Sequence, residues 1–319
     1  MLSIIIPVYN AQETIRQCVQ SIEKSVGKLP YELLLVDDGS EDSSLKICRK
    51  LSEKNDKIKV FQKENGGPAS ARNMGIREAR GDYLVFSDAD DLWNDSFHDV
   101  WNKISLSDDI DLVASPIYRC TEDAVACPRL EEICCGCYST LPDYFFVNGL
   151  VHTSCGKIYK TSIIKDNNIC FPDYRLSEDS LFNIKYLSFC RNVYLENQGY
   201  YVYLFSKNDS LTGRIHENAF QIYALVEDEL RQYFIKKNHV DYQNILNSTM
   251  FPQFYGTILK VLKSKTLSSK EKRKLINKFK QEYDVDKLLK SVKHESRGER
   301  MLCNLIVHGL YFLASVIVK

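Results

Sequence analysis

The first 90 residues alternate apolar runs with amphipathic segments, and that alternation leaves few folds open to the chain. "LSIIIPV", residues 2–8, is continuously apolar, as expected of a strand buried on both faces. Ile15, Cys18, Val19, Ile22 and Val26 then repeat with a helical period. "YELLLVDD" reads as a second strand, "GSEDSSLKICRKLSEK" as a second helix and "KIKVFQ" as a third strand. "GGPASARNMGIREAR" and "GDYLVFSD" supply a third helix and a fourth strand. Repeats at this spacing build right-handed βαβ units, so the expectation is an α/β fold: a mostly parallel, Rossmann-like sheet with helices on both faces. Asn10 with Glu13 reads as a capping-box start to the first helix, Ser40 as the cap of the second, and Pro68 falls near the first turn of the third.

Beyond residue 95 the pattern is less regular. Helices are expected near 95–105, near 140–148 and at "SEDSLFNIKYLSFC", with strands at "DIDLVASPIY", "RNVYLEN" and "YYVYLF". Residues 216–290 read as helical, through "AFQIYALVEDELRQYFIKK" and "KEKRKLINKFKQEY".

The acids gather where such a sheet binds ligands. Asp37 and Asp38 end the second strand; Asp88, Asp90 and Asp91 end the fourth. In open α/β sheets the crevice beyond the strands' carboxyl ends is the binding site, so both clusters should line it. If residues 86–90 stay extended, Asp88 and Asp90 point the same way. Two carboxylates about 4 Å apart repel by several kcal/mol at an intermediate dielectric, and a divalent cation such as Mg2+ or Mn2+ removes that cost. The plainer alternative is a solvated turn capping the next helix through Asp91 or Asn94. Gly66 and Gly67 permit close backbone approach, and Arg72 offers a fixed fork, or else the stretch is a glycine turn with a surface arginine. Tyr9 could stack on a nucleobase and Asp38 accept from a base imide N–H; the alternative is a core tyrosine with a turn aspartate. Glu178 and Asp179 open a helix; one is a candidate general base, or both simply answer the helix dipole. Neither a Gly-x-Gly-x-x-Gly nor a Walker-type lysine loop follows the first strand, which argues against dinucleotide-binding, P-loop and nucleotidyltransferase proteins. Lys plus Arg balance Asp plus Glu at 42 each, so no global field attracts nucleic acid.

Taken in order, "IIIPVYNAQETIRQCVQSI", "ELLLVDDGSEDSS", "ENGGPASARNMGI" and "GDYLVFSDADD" resemble the N-terminal pattern of family 2 glycosyltransferases, inverting enzymes with a GT-A fold and, here, of the bacterial surface-polysaccharide type. The match covers residues 2–92 and continues more loosely to about 215 through "CGKIYK" and "SEDSLF". The resemblance implies a nucleotide-sugar-binding half at 1–95, an acceptor-binding half at 96–215 and a helical C-terminal region at 216–319. It implies that Pro7, Tyr9 and Asp38 hold the uridine of a UDP-sugar, with Asp37 supporting them. Arg72 then faces the diphosphate, and Asn10, Gly67, Ala89 and Asp91 complete the nucleotide-sugar pocket. Asp88 and Asp90 form the DxD pair for Mn2+ or Mg2+, Asp90 the more direct contact. Asp179 is the catalytic base and Glu178 its assistant. The acceptor is a hydroxyl of a cell-surface glycan or a lipid-linked saccharide. Family members often place an arginine soon after "Y-x-Y"; here Leu204 follows Tyr203, with Ser210, Thr212 and Arg214 later. The competing reading is a non-catalytic sugar-nucleotide-binding subunit of a glycan-assembly complex.

"MLCNLIVHGLYFLASVIVK" closes the sequence. Asn304, His308, Tyr311 and Ser315 would form one polar stripe on a helix over 301–318, which suits a helix lying in a membrane interface better than a span. Packing on the protein's own core, or on a second copy in a homodimer, is the alternative. No signal peptide is visible, so the expected place is the cytoplasm at the inner face of the cell membrane. The 11 cysteines include the cluster Cys120, Cys127, Cys134, Cys135 and Cys137, which lacks paired CxxC knuckles; free or buried thiols are expected rather than zinc.

Overall fold

The structure is a computed structural model, and it describes residues 1–104, 109–120, 125–126, 135–204, 215–240, 242–292, 294 and 296–318. Four parallel strands form half of the main sheet: β1 (Leu2–Val8), β2 (Tyr31–Asp37), β3 (Ile58–Gln62) and β4 (Tyr83–Phe86). Side-chain parity assigns their two faces. Leu2, Ile4, Ile6 and Val8 pack with Ile15, Cys18, Val19, Ile22 and Val26 of α1 (Ile15–Val26). Cys48 and Leu51 of α2 (Ser44–Ser52) join the same layer. The odd face of β1 meets α3 (Pro68–Glu78): a Cβ on Gly75 would lie 2.4 Å from Ile5 Cγ2, so glycine is what lets that helix sit down on the strand.

The rest of the sheet comes from later in the chain, in the order β3-β2-β1-β4-β10-β6-β11-β9 among the described residues. β6 is Leu112–Ala114, β9 is Gly136–Tyr138, β10 is Lys157–Lys160 and β11 is Val193–Leu195. β10 runs antiparallel to both β4 and β6 in the middle of the sheet. The motif "CGKIYK" thus contains a central strand that pattern reading does not supply. The expected strand "DIDLVASPIY" breaks at Ser115–Pro116, because proline cannot continue a ladder. Its second part, β7 (Ile117–Cys120), belongs to a smaller sheet ordered β5-β12-β7-β8, with β5 Leu92–Trp93, β8 Val125–Ala126 and β12 Tyr201–Leu204. Helices α4 (Phe97–Ile104), α5 (Asp143–Val147), α6 (Thr161–Asp166) and α7 (Glu178–Leu187) complete this part of the chain.

Two helix starts differ from expectation. α1 begins at Ile15, and Asn10 adopts φ 48°: its side chain accepts the Glu41 N–H at 2.9 Å while its own N–H donates to Ser40 Oγ at 3.1 Å. Asn10 and Ser40 therefore tie the β1–α1 and β2–α2 loops together instead of capping helices. A short polar side chain gains more here by bonding a neighbouring loop than by closing its own helix.

The chain groups into two compact units, Met1–Phe145 with Leu150–Asn208, and Phe146–Gly149 with Asp209–Lys319. Residues 1–95 and the described part of 96–208 fall in the first unit, apart from the short excursion at 146–149. The second unit is helical: α8 (Ala219–Lys236), α9 (Tyr242–Lys263), α10 (Ser269–Glu282), α11 (Val285–Ser291), α12 (Arg297–Val307) and α13 (Tyr311–Ile317). Its core stacks Phe220 on Phe279 at 4.2 Å and Phe254 on Tyr283 at 4.1 Å between ring centres. The expected single helix over 301–318 is two helices, broken where Gly309 takes φ +71°. The polar stripe is broken with it. Tyr311 is buried and donates to Asn277 Oδ1 at 2.9 Å, whereas Asn304 and His308 stay exposed. No described helix is long and apolar enough to cross a membrane. Cys120, Cys135 and Cys137 are free thiols; Cys127 and Cys134 lie outside the described residues, as do Ser210, Thr212 and Arg214.

Candidate active site

Both acidic clusters lie at the carboxyl edge of the parallel strands. β1 has β2 on one side and β4 on the other, so the chain reverses direction of assembly at β1/β4, the kind of point where open α/β sheets bind ligands. Tyr9, just past β1, is 49% exposed, and Pro7 sits one pair before the strand's end.

Asp37 is fully buried, and its Oδ2 accepts the Ser40 N–H at 3.3 Å. Asp38 accepts Gly66 N–H at 3.0 Å and Lys63 Nζ at 2.6 Å on Oδ1, and Gly67 N–H at 2.7 Å on Oδ2. Gly67 makes this possible with φ +86°, directly before the α3 proline. Asp38 thus organises the glycine loop, and each of its oxygens has two acceptor directions, so Oδ2 keeps one in reserve. Sequence reading passed over Lys63; its only signal was position, one residue past β3.

The "DAD" stretch is not extended. Asp91 N–H donates to Asp88 O at 3.3 Å and closes a turn, so the alternation argument for Asp88 and Asp90 does not hold. The three carboxylates separate instead. Asp88 faces inward to Arg72, whose Nη2 lies 2.7 Å from its Oδ1. Asp90 is exposed, with its carboxyl held above the ordinary value by partial desolvation and then by Asp88. Asp91 is 1% exposed; it accepts Tyr201 Oη at 2.6 Å and Leu204 N–H at 2.9 Å. Tyr201 Oη in turn accepts Asp88 N–H at 3.0 Å. Asp91 therefore anchors the end of β12 to the acidic turn, and Ala89 is buried at the tip between them.

Arg72 gathers the distant acids. It is 5% exposed, and its Nη1 lies 3.4 Å from Asp179 Oδ1 and 3.6 Å from Glu178 Oε1. The guanidinium rests 5.4 Å from the centre of the Phe171 ring. Asp179 is further fixed by Ser154, whose N–H donates to Oδ2 at 3.0 Å. Ser177, directly before Glu178, adopts φ 59°, a left-handed conformation that costs a non-glycine residue energy and here turns the acids into the cluster. Sequence reading missed Ser154 as well, because a backbone donor leaves no residue signature.

Burial, and secondarily Asp179, pushes the Glu178 carboxyl up to about 7; burial, and secondarily Asp88, pushes Asp91 up to about 8. Both folded values exceed the unfolded ones. The unfolded chain therefore loses these protons first, near pH 4, and the stability they confer is present below that point and lost as pH rises to about 8. Thermal melts in chelator should show Tm falling by several degrees across that window, and Asp91→Asn should flatten the upper part of it.

Among the described residues no group of three or more His, Cys, Asp or Glu is placed to hold a metal. The donor pair that remains, exposed Asp90 beside Asp88, is nevertheless all hard oxygen and electrostatically unfavourable when both are ionised. That chemistry fits a divalent cation whose remaining ligands come from a bound diphosphate and water.

A mostly parallel sheet with acids at its switch point, joined by one arginine to a second acidic pair, defines an α/β protein whose charged crevice is placed to bind a ligand. The model for "Glycosyl transferase family 2" matches residues 3–167, and the chain belongs to that glycosyltransferase family. It is 28% identical to a poly(ribitol-phosphate) beta-glucosyltransferase of Bacillus spizizenii over 71% of this chain, but spans only 36% of that protein's length. It is 26% identical to the uncharacterized glycosyltransferase EpsJ of Bacillus subtilis, over 98% of this chain and 94% of EpsJ. Its fold is similar to that of S. aureus TarS 1–349 in complex with UDP-GlcNAc, with a TM-score of 0.75 and 22% identity over 99% of this chain and 90% of the other.

Proposed function

We propose that this chain is an inverting, metal-dependent glycosyltransferase that moves a sugar from a UDP-sugar to a hydroxyl of a cell-surface glycan or lipid-linked saccharide. The observation that carries this reading is the Arg72 cluster, which holds the donor-side Asp88 and the candidate base Asp179 on one buried guanidinium. In this reading Tyr9 stacks on uracil, and the free acceptor direction of Asp38 Oδ2 takes the uracil imide N–H. Pro7, Asn10, Asp37 and Gly67 shape the pocket around them. Asp179 takes the proton of the acceptor hydroxyl as its oxygen attacks the anomeric carbon, and UDP departs from the opposite face. Arg72 and the Ser154 N–H keep the Asp179 carboxylate aimed, while Glu178 holds a proton beside it. Asp90 and Asp88 would hold the Mn2+ or Mg2+, which when bound neutralises charge on the leaving diphosphate.

A similar fold bound to UDP-GlcNAc, and a relative named for glucosyl transfer, make UDP-GlcNAc and UDP-glucose the first donors to try. UDP release from the preferred donor should require divalent cation and fall at least about 100-fold in Asp90→Ala. Unchanged turnover in that variant, with the fold intact, would remove Asp90 from the proposed metal site.

A further inference from the structure

The second unit leaves large apolar side chains in water. Fourteen described residues are exposed large hydrophobics, and Met301, Leu310, Phe312, Leu313, Val316 and Ile317 are six of them, all within 17 residues. α13 is the extreme case. Tyr311 and Ala314 face the helical core, while Phe312 at 70%, Val316 at 53%, Leu313 at 49% and Ile317 at 44% exposure share the opposite face. A helix apolar on both faces has one face too many for a unit that buries only the other.

The charge near this face leans basic, with Arg297 and Arg300 exposed, Lys280 paired to Asp286, and Glu299 half-buried. Residues 300–319 contain no Asp or Glu. Exposed Arg297 and Arg300 line a hollow of about 290 Å³ together with Met301, Leu305, His308 and Leu310. Lys280, Asp286 and Arg273 all lie close enough to Tyr311 to act on its hydroxyl, two cations against one anion. A second copy of the chain would bring the same cations against these, which costs energy. A surface of anionic headgroups above acyl chains complements both features at once.

We infer that α12 and α13 form a docking face for an anionic lipid bilayer, with Phe312, Leu313, Val316 and Ile317 entering the apolar boundary and Arg297 and Arg300 meeting headgroup phosphates. The break at Gly309 makes α13 a separate helix, which Tyr311 and Ala314 seat on the helical core with Phe312, Leu313, Val316 and Ile317 outward. This inference stands apart from the proposed chemistry and does not depend on it.

The test is flotation of the full chain with vesicles of phosphatidylcholine alone and of phosphatidylcholine with 30% phosphatidylglycerol. Binding is expected only to the anionic vesicles and should weaken at high salt. Phe312→Asp with Val316→Asp should lower the bound fraction about tenfold or more, with circular dichroism and UDP release unchanged. Arg297→Glu with Arg300→Glu should lower it severalfold. Absence of binding by the unaltered chain overturns the inference. So does binding that both double variants retain. A dimer in light scattering that Phe312→Asp with Val316→Asp dissociates, without vesicle binding, also overturns it and assigns the face to a second copy.

Discussion

Asp179→Asn should lower sugar transfer by about 10²–10⁴-fold, the usual worth of a positioned general base, while the dissociation constant for the donor changes by less than about threefold. The two effects separate because of where Asp179 sits. Its Oδ1 faces Arg72 and its Oδ2 takes the Ser154 N–H; an amide of the same shape can satisfy only one of these two donors, because its NH2 is itself a donor, and it cannot accept the acceptor's proton, while the donor pocket around Tyr9 and Asp38 is untouched. Steady-state kinetics beside calorimetric titration of UDP-sugar will show the split. Equal loss of binding and turnover would make Asp179 a scaffold for the pocket and move the base elsewhere, with Glu178 the first alternative.

Arg72→Met should be the most destabilising single change in the cluster. The guanidinium is buried and serves the half-buried Asp88, Glu178 and Asp179 together, so its removal leaves a partly desolvated acidic cluster without a counter-charge. Breaking a buried ionic group in this way costs about 3–5 kcal/mol. At roughly 2–4 °C per kcal/mol for a domain of this size, Tm should drop on the order of 10 °C. Arg72→Lys should recover little, because one ammonium cannot bond Asp88 and Asp179 in the two directions that Nη2 and Nη1 cover. A lysine variant with full stability and activity would show that only charge matters at this position.

The first 95 residues are legible because their signals are local. β1, β2 and β4 each carry an apolar run and β3 is short and alternating, and the acids that follow β2 and β4 fall at the crevice by topology alone. Arg72 stood out as a possible fork, but two of its three carboxylates come from α7, more than 100 residues away, and no local pattern reports that. The "DAD" geometry misled for a physical reason. Alternation holds for strands, and β4 ends at Phe86, before the acids begin. Asp91 looked like a surface turn residue because nothing near it in sequence offers the Tyr201 hydroxyl. β10 escaped notice because only four residues form it, fewer than the period-2 pattern needs to show. The tail's apolar content was plain, but one glycine decided whether it made a single helix or two.

The reversed direction of β10 has a consequence for how the two substrates are served. In a sheet of uniformly parallel strands, the residues leading into a strand lie on the far edge, away from the crevice. Because β10 points the other way, its approach, Thr153 to Gly156, arrives beside the end of β4. That is how Ser154 reaches Asp179 and Cys155 comes within 3.9 Å of Asp88. One inverted strand therefore turns an entrance loop into one wall of the crevice that holds Asp88 and Asp179. Residues on that approach stand outside β1 to β4, so exchanges there reshape the crevice wall while leaving the four parallel strands and the acids that end them in place.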